Sequence, residues 1–312
     1  MATRSSALVP MLDGDEYLPA TERRLEASLG LDTMSSLQIL RLLASQDRVA
    51  VDAVTDAAPD LAELVIVAAD RVRDGGTVHY FGAGTSGRLA VLDAAELLPT
   101  YNIDPGIVVA HMAGGPAALV RSVENVEDST DDGRADAAGV GHGDVAIGLA
   151  ASGNTPYVGG ALQAARERGA HTALISSNPR ASLAHLADTV VLLDTGAEVV
   201  TGSTRLKAGT AEKLALNGFS TALMVALGRT WSNLMVSVVA SNEKLRRRTV
   251  RILMQATDLS ETESQALLTE ADGELKTAIV AAIGGVTVAE ARTTLAQQHD
   301  SVREALTTLA RP

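Results

Sequence analysis

The chain has 312 residues with a formal net charge of −12 and a pI near 4.9. This length allows one large α/β domain with a smaller appendage, and the negative charge argues against nucleic acid or an anionic membrane as the main partner. The absence of cysteine excludes disulfides, thiolate catalysis and cysteine metal sites. The apolar runs are far shorter than a membrane span and no signal-peptide pattern opens the chain, so we expect a cytoplasmic protein.

The first third of the chain predicts two helices followed by a strand–loop–helix unit. After a lead of about 20 residues, hydrophobic periodicity predicts helices over 37–50 and 61–73. The apolar run 78–81 predicts a buried strand, and we expect Pro99 to end the helix that follows it. Gly-Ala-Gly-Thr-Ser-Gly at 82–87 joins the strand and the helix. Free backbone N–H groups and the positive end of a helix dipole make such a loop an anion site.

Further apolar runs predict strands that alternate with helices. The predicted strands cover residues 106–110, 145–149, 172–175 and 189–193. We expect helices over 117–127 and 157–168, and between them a loop over 128–143 with one helical turn. This alternation predicts an α/β fold with a doubly wound parallel sheet covered on both faces, whose ligand binds beyond the carboxyl ends of the strands.

The last third is predicted to be helical. A long helical region is expected from Thr201 to about 254, and short helices follow it. Capping boxes at Ser260-x-x-Glu263 and Thr287-x-x-Glu290 predict two helix starts. We therefore predict three segments: an N-terminal lead and helix over 1–50, a main α/β domain over 51–254, and a small helical domain over 255–312.

The glycine-rich loop also matches a dinucleotide-binding fingerprint, Gly82-x-Gly84-x-x-Gly87. That site needs an acidic residue at the end of the next strand to hold the ribose. The next predicted strand is instead followed by His-Met-Ala-Gly at 111–114, which has no carboxylate. The loop therefore favours a small phosphorylated ligand, while a tight turn without any ligand stays open at this point.

Three turns rich in Ser, Thr and Gly precede helices, at 82–87, 151–155 and 202–204. Small polar side chains add little to packing there, whereas backbone N–H groups and hydroxyls can bind a phosphate. Either Arg205 or Lys207 could add a counter-charge. The candidate phosphate-binding residues are Gly84, Thr85, Ser86, Ser152, Gly153, Asn154, Thr155, Ser203, Thr204 and Lys207.

Two carboxylates are candidate catalytic groups, Glu96 and Glu127. Glu96 is expected in the last turn of its helix, where the dipole disfavours a negative charge and favours a protonated carboxyl able to act as an acid. Glu127 is expected near the end of the next helix, with Glu124 one turn earlier. A Glu taken alone is more often a surface residue. The six histidines show no metal-ligand spacing, so no metal is expected.

Five motifs resemble the N-acetylmuramic acid 6-phosphate etherases over roughly residues 21–255. They are the runs at 82–96, 113–128, 148–157, 201–213 and 233–236. The resemblance implies a sugar-isomerase-type (SIS) domain, a UBA-like helical tail, a homodimer and no cofactor. It also implies cleavage of the lactyl ether of N-acetylmuramic acid 6-phosphate to N-acetylglucosamine 6-phosphate and D-lactate. The family's proton donor falls on Glu96 and its second active-site Glu on Glu127. One departure is Leu25, where family members usually have Asn.

Two other functions fit the same loops. A non-catalytic phosphosugar-sensing regulator with a SIS domain, like the glucokinase regulatory protein, would not need Glu96 and Glu127 together. An aldose–ketose isomerase on the same fold would release no lactate. The sequence thus predicts a phosphosugar protein, and the resemblance favours the etherase.

Overall fold

The computed structural model describes residues 18–238, 240 and 243–311. Its sheet has five parallel strands in the order β2-β1-β3-β4-β5. The strands are β1 (Val78–Gly82), β2 (Val108–Met112), β3 (Val145–Leu149), β4 (His171–Ser176) and β5 (Thr189–Leu192). The predicted parallel α/β sheet is confirmed.

Helices cover both faces of this sheet. Consecutive strand residues point to opposite sides, so each strand packs against helices on both faces. Phe81 packs in a buried cluster with side chains of α6 (Pro156–Glu167), to which α5 (Thr130–Asp136) is adjacent. Tyr80 points to the other face. Its ring meets that of Phe219 in α7 (Lys207–Ala226) edge-on, and its hydroxyl donates to Asp93 in α3 (Gly84–Tyr101) over 3.2 Å. The sheet is therefore doubly wound, as predicted.

Eight further α-helices lie in the described part of the chain. They are α1 (Ser36–Asp56), α2 (Ala58–Arg73), α4 (Ala117–Val120), α8 (Glu243–Ala256), α9 (Glu261–Glu270), α10 (Leu275–Gly284), α11 (Val288–Gln297) and α12 (Val302–Leu309). Both predicted capping boxes form, at the starts of α9 and α11. A third one, Ser35 with Gln38, starts α1, which is longer than predicted.

Two predicted helix ends are wrong. Pro99 lies inside α3, which continues to Tyr101 and ends before Asn102, a residue with φ of 49°. The predicted helix over 117–127 is only the four-residue α4. Its end is fixed by Arg88, whose guanidinium donates to the carbonyls of Ala118 (2.7 Å), Leu119 and Arg121.

The predicted helical region from 201 to 254 contains two helices, and the described residues between them are irregular. Residues 201–206 form turns, and α7 ends in a Schellman motif. Gly228 has φ of 70°, its N–H donates to the Val225 carbonyl, and the next N–H donates to that of Met224. Glycine adopts this left-handed backbone conformation more easily than other residues, and the helix ends there.

Strand pairing brings two distant histidines together. His79 Nδ1 lies 3.0 Å from His111 Nε2, and the His111 ring stacks on Phe81 with centroids 4.5 Å apart. Burial, reinforced by the neighbouring His79, lowers the pKa of His111 to about 4. Both rings are therefore neutral at pH 7, because burial also lowers the pKa of His79.

The chain divides into two compact units. The first comprises the chain up to Ala94 together with Gly106–Phe219, and the second comprises Ala95–Pro105 and the chain from Ser220 onward. The predicted boundaries after residues 50 and 254 stay predictions. Within the described residues, no single helix has the length and apolarity to span a membrane. One pair, α10 and α11, reaches that length and composition together but is bent by 109°.

Candidate active site

The strand order places a crevice between the carboxyl ends of β1 and β3. From β1 the chain crosses to β2 on one side of the sheet, and from β3 it crosses to β4 on the other. Such a switch point is where ligands of doubly wound sheets bind. Gly82 and Leu149, the last residues of β1 and β3, are paired neighbours. The turns at 82–87 and 151–155 therefore both open onto this crevice.

The glycines of the first turn allow α3 to pack tightly on the end of β1. A Cβ on Gly87 would lie 2.6 Å from the Gly82 carbonyl oxygen and 2.9 Å from Cγ of Met112. Gly84 begins α3 with φ of 55°. These constraints explain the Gly-x-Gly-x-x-Gly spacing by close packing as well as by ligand approach.

Ser86 is hydrogen-bonded to the carboxyl group of Glu212, a residue that the sequence did not bring out as a candidate. Its Oγ donates to Oε2 of Glu212 over 2.8 Å, and the Glu212 side chain is fully buried. Burial raises the pKa of Glu212 to about 7, although the hydrogen bond from Ser86 opposes the shift. A signal existed in the sequence, because Glu212 lies at helical spacing between the apolar residues Ala208 and Leu216.

The turn at 151–155 is held by hydrogen bonds to the segment after β4. Asn178 Nδ2 donates to the carbonyl of Ser152 over 2.8 Å, and Asn154 Oδ1 accepts from the Ser182 N–H over 3.0 Å. Gly153 has φ of 70°, and a Cβ there would lie 2.3 Å from that of Ala181. The turn is thus held in place by contacts within the chain.

Thr155 is the residue that precedes α6, and its side chain makes no capping hydrogen bond to that helix. The N–H of Tyr157, one residue inside α6, donates to the main-chain carbonyl of Glu127 over 2.9 Å. The backbone of Glu127 is therefore held against the start of α6, next to the second turn.

The start of α7 already holds a carboxylate. The buried Glu198 accepts from the backbone N–H groups of Lys207 (3.1 Å) and Ala208 (2.9 Å). Burial raises the pKa of Glu198, and these two N–H donors oppose the shift. The sequence reasoning missed Glu198 because its partners lie about ten residues later in the chain.

Lys207 is buried rather than presented to solvent. Its ammonium group donates to Gln46 Oε1 and to the Ala197 carbonyl, each over 2.8 Å, and burial lowers its pKa. Ser203 and Thr204 lie in the turn just before α7 and are half-buried. Of the predicted counter-charges, Arg205 is the more exposed.

Two of the three predicted turns meet through the first turns of α3 and α7. Besides the Ser86–Glu212 hydrogen bond, a Cβ on Gly209 would lie 3.4 Å from Cγ2 of Thr85 and 3.2 Å from the Thr204 carbonyl oxygen. The remaining turn, at 151–155, follows the neighbouring strand β3. The structure thus gathers the predicted phosphate loops within the first compact unit.

The two candidate catalytic carboxylates are both exposed, and neither has a side-chain hydrogen bond within the described residues. Glu96 lies on α3 five residues before its last residue and belongs to the second compact unit. Glu127 belongs to the first unit. It lies in an irregular segment and not on the predicted helix, and so does Glu124. Asn125 in that segment has φ of 65°, a backbone conformation that no helix continues.

Known proteins have sequences similar to this chain over most of its length. The chain is 53% identical over 260 residues to the N-acetylmuramic acid 6-phosphate etherase of Thermobifida fusca, covering 83% of this chain and 86% of that one. It is 45% identical over 288 residues to the etherase of Klebsiella aerogenes, covering 92% of this chain and 96% of that one. The chain belongs to the N-acetylmuramic acid 6-phosphate etherase family.

Two further comparisons concern the fold. Residues 60–166 match the family model for the glucokinase regulatory protein N-terminal SIS domain. This region holds the glycine-rich loop and the strands on both sides of the crevice, so the predicted SIS-type domain is confirmed. A phosphoheptose isomerase from Francisella tularensis aligns with a TM-score of 0.49 at 18% identity, covering 62% of this chain and 100% of that one.

Proposed function

We propose that this protein cleaves the lactyl ether of N-acetylmuramic acid 6-phosphate, giving N-acetylglucosamine 6-phosphate and D-lactate. The observation that carries the proposal is the 53% identity to an etherase over 83% of the chain. The pre-organised loops at the β1/β3 crevice support it, because they offer backbone N–H groups and hydroxyls to a phosphate. The activity would be that of a carbon–oxygen lyase in cell-wall amino sugar recycling.

The reaction needs acid–base chemistry at two carbons of the open-chain sugar. The C1 aldehyde acidifies the C2 proton, and removal of that proton leaves an electron pair that forms the C2–C3 double bond. The C3–O bond breaks as an acid protonates the ether oxygen, and lactate leaves. Water then adds to C3 and a proton returns to C2. Carboxyl groups held beside the sugar suffice for these transfers.

We propose Glu96 as the proton donor and Glu127 as the second active-site carboxylate. Both side chains are exposed, so a substrate can reach them. The main-chain bond from Tyr157 N–H to the Glu127 carbonyl supports a fixed position for Glu127 beside the turn at 151–155. No cofactor takes part in the proposed reaction.

We propose that the turns at the crevice bind the phosphate of the substrate. Gly84, Thr85 and Ser86 would contribute the start of α3, and residues 152–155 the start of α6. Ser203 and Thr204 would add hydroxyls from the turn before α7. For Lys207 we propose a supporting role: its buried ammonium group holds the start of α7 through Gln46 and Ala197.

We propose that the protein acts as a cytoplasmic homodimer. Helices α3 and α7 expose apolar side chains, among them Leu92 (51% exposed), Leu98 (46%) and Val225 (52%). Exposed apolar surface of this kind favours association with a second copy. We retain the proposed segments 1–50, 51–254 and 255–312, with a UBA-like fold for the last.

The proposal is tested by incubating the protein with N-acetylmuramic acid 6-phosphate and measuring both products. We expect D-lactate and N-acetylglucosamine 6-phosphate in equal amounts. An unchanged phosphosugar would contradict the lyase, and so would an isomerised sugar formed without lactate.

A further inference from the structure

The buried carboxyl of Glu212 has one oxygen that nothing satisfies. Oε2 accepts from Ser86 Oγ, whereas Oε1 is buried and has no hydrogen-bond partner within the described residues. A buried, half-satisfied carboxylate is costly, and proteins avoid the cost by protonating the group or by pairing it. Glu212 has no cationic partner in the contacts it makes. Its neutral form is therefore the better fit to this site.

Ser86 links this carboxyl to the proposed phosphate site, since it is the third residue of α3 and belongs to the turn at the crevice. A hydroxyl has a single proton to donate. When Glu212 is ionised, Ser86 donates that proton to Glu212 and has none left for a ligand. When Glu212 is protonated, its own O–H can donate to Ser86 Oγ, and the Ser86 proton becomes free.

We propose that Glu212 is a positioning residue for phosphate recognition, whose protonated carboxyl donates to Ser86 Oγ so that Ser86 donates to a phosphate oxygen of the ligand. The inference rests on the proposed phosphosugar function. Binding above neutral pH then takes up one proton from solvent, which remains on Glu212. The resulting chain of donors runs from Glu212 through Ser86 to the phosphate, and each hydrogen bond has one donor and one acceptor.

Other titratable groups on the surrounding elements already have partners or lie farther along their helices. Burial raises the pKa of Glu212 against the opposing hydrogen bond from Ser86, and no neighbouring charge contributes to the shift. Asp93 accepts from Tyr80 and Asn217, and Arg88 donates to three carbonyls. Besides Glu212, the ionisable groups of α3, β1, α7 and residues 198–206 are Arg88, Asp93, Glu96, Tyr101, His79, Tyr80, Lys207, Lys213, Glu198 and Arg205.

The test compares the wild type with Glu212→Gln, whose amide donates to Ser86 at every pH. The probe is N-acetylglucosamine 6-phosphate, with Kd measured by calorimetry from pH 6 to pH 8.5. Ionisation of the ligand affects both proteins equally and cancels in the ratio of their Kd values. We expect this ratio to be near one at pH 6. It should rise to as much as about 30-fold at pH 8.5, because only the protonated fraction of the wild type binds fully.

A second readout is the number of protons taken up on binding at pH 8, from calorimetry in two buffers of different ionisation heat. We expect close to one proton for the wild type and none for Glu212→Gln or for Ser86→Ala, which lacks the hydroxyl relay. A Kd ratio that does not change with pH would overturn the inference, as would full proton uptake in Ser86→Ala. If the wild type does not bind the probe at any pH, the proposed function fails with it. Binding of the probe with a Kd ratio that does not change with pH leaves the proposed function standing and removes only the role of Glu212.

Discussion

At the scale of single residues, four carboxyl groups of this chain divide into a buried pair and an exposed pair. Glu198 and Glu212 are buried and hydrogen-bonded within the chain, whereas Glu96 and Glu127 are exposed. The two pairs therefore have different physical roles. The buried pair holds the loops through hydrogen bonds within the chain, and the exposed pair is the one that we propose to exchange protons with a ligand.

Glu127→Gln should lower kcat for D-lactate release, because the amide has a similar size but cannot exchange a proton. General acid–base groups contribute about 10²–10⁴-fold, so we expect a loss within that range. Steady-state kinetics with N-acetylmuramic acid 6-phosphate measures it. Glu124→Gln is the matched control, since Glu124 lies in the same exposed segment and should leave kcat near the wild-type value. Equal activity of both variants would remove Glu127 from the site.

The neighbouring side chains of His79 and His111 lead to a prediction about stability at acid pH. The pKa of His111 is about 4 in the fold, below its ordinary value, because burial disfavours the charged ring. The unfolded chain thus binds more protons between pH 6.5 and 4, so stability is lost as the pH falls through this window. In His111→Phe the slope of unfolding free energy against pH should decrease there by up to about one proton.

Denaturant unfolding at several pH values measures this slope. At pH 8 the ring is neutral in both states, so the difference between wild type and His111→Phe reports packing alone and serves as the internal reference. An unchanged slope in the variant would show that His111 titrates normally in the folded protein.

At the scale of elements, the carboxylate of Glu198 caps the start of α7 and so holds the turn at 202–204 in place. Glu198→Ala removes the acceptor for the N–H groups of Lys207 and Ala208. We expect a loss of about 1–3 kcal/mol in unfolding stability, the range for a lost cap and for buried donors left unpaired. Thermal or urea unfolding measures the loss. Glu243→Ala serves as the control, because Glu243 is exposed at the start of α8 and makes only surface ion pairs. Comparable losses of unfolding stability in the two variants would mean that the buried cap contributes no more than an exposed ion pair.

The sequence predicted elements better than it predicted their ends or their partners. The five strands and the capping boxes of α9 and α11 carry local signals, so periodicity and spacing identify them. The end of α4 depends on Arg88, which lies about 30 residues earlier, and no local pattern at 117–127 reveals it. The same limit applies to Glu198, His79 and His111, whose contacts arise only from strand order and helix packing.

The candidate site was predictable where it follows from topology. Turns after parallel strands must meet at one edge of the sheet, and the structure brings 82–87 and 151–155 to that edge. The sequence could not indicate that Lys207 is buried or that a carboxylate occupies the start of α7. Both depend on which side chains from distant segments fill the space between α1 and α7.

At the scale of the whole molecule, we expect a dimer with twice the 32.2-kDa chain mass. The exposed apolar residues of α7, such as Val225, support this assembly. Val225→Glu should shift light-scattering mass toward the monomer at micromolar concentration, because a charge would have to be buried. Val200→Glu, at a similarly exposed position outside the helices, is the control. A fully active wild-type monomer would contradict the prediction.

The unphosphorylated sugar should be a very poor substrate, because it cannot form the charge-assisted hydrogen bonds that we propose between the three turns and the phosphate. Comparing kcat/KM for N-acetylmuramic acid 6-phosphate and for free N-acetylmuramic acid measures this requirement. Similar values for the two would show that the crevice does not recognise phosphate.

The central claim is that this chain is an etherase whose proton donor is Glu96. The most direct measurement is kcat for D-lactate release from saturating N-acetylmuramic acid 6-phosphate by the wild type and by Glu96→Gln, with Tm and ligand affinity measured on the same samples. The account predicts lactate release by the wild type. In the variant it predicts a fall of about 10²–10⁴-fold in kcat with folding and binding retained. Turnover near the wild-type rate in Glu96→Gln would contradict the assignment of the proton donor, and no lactate from the wild type would contradict the etherase itself.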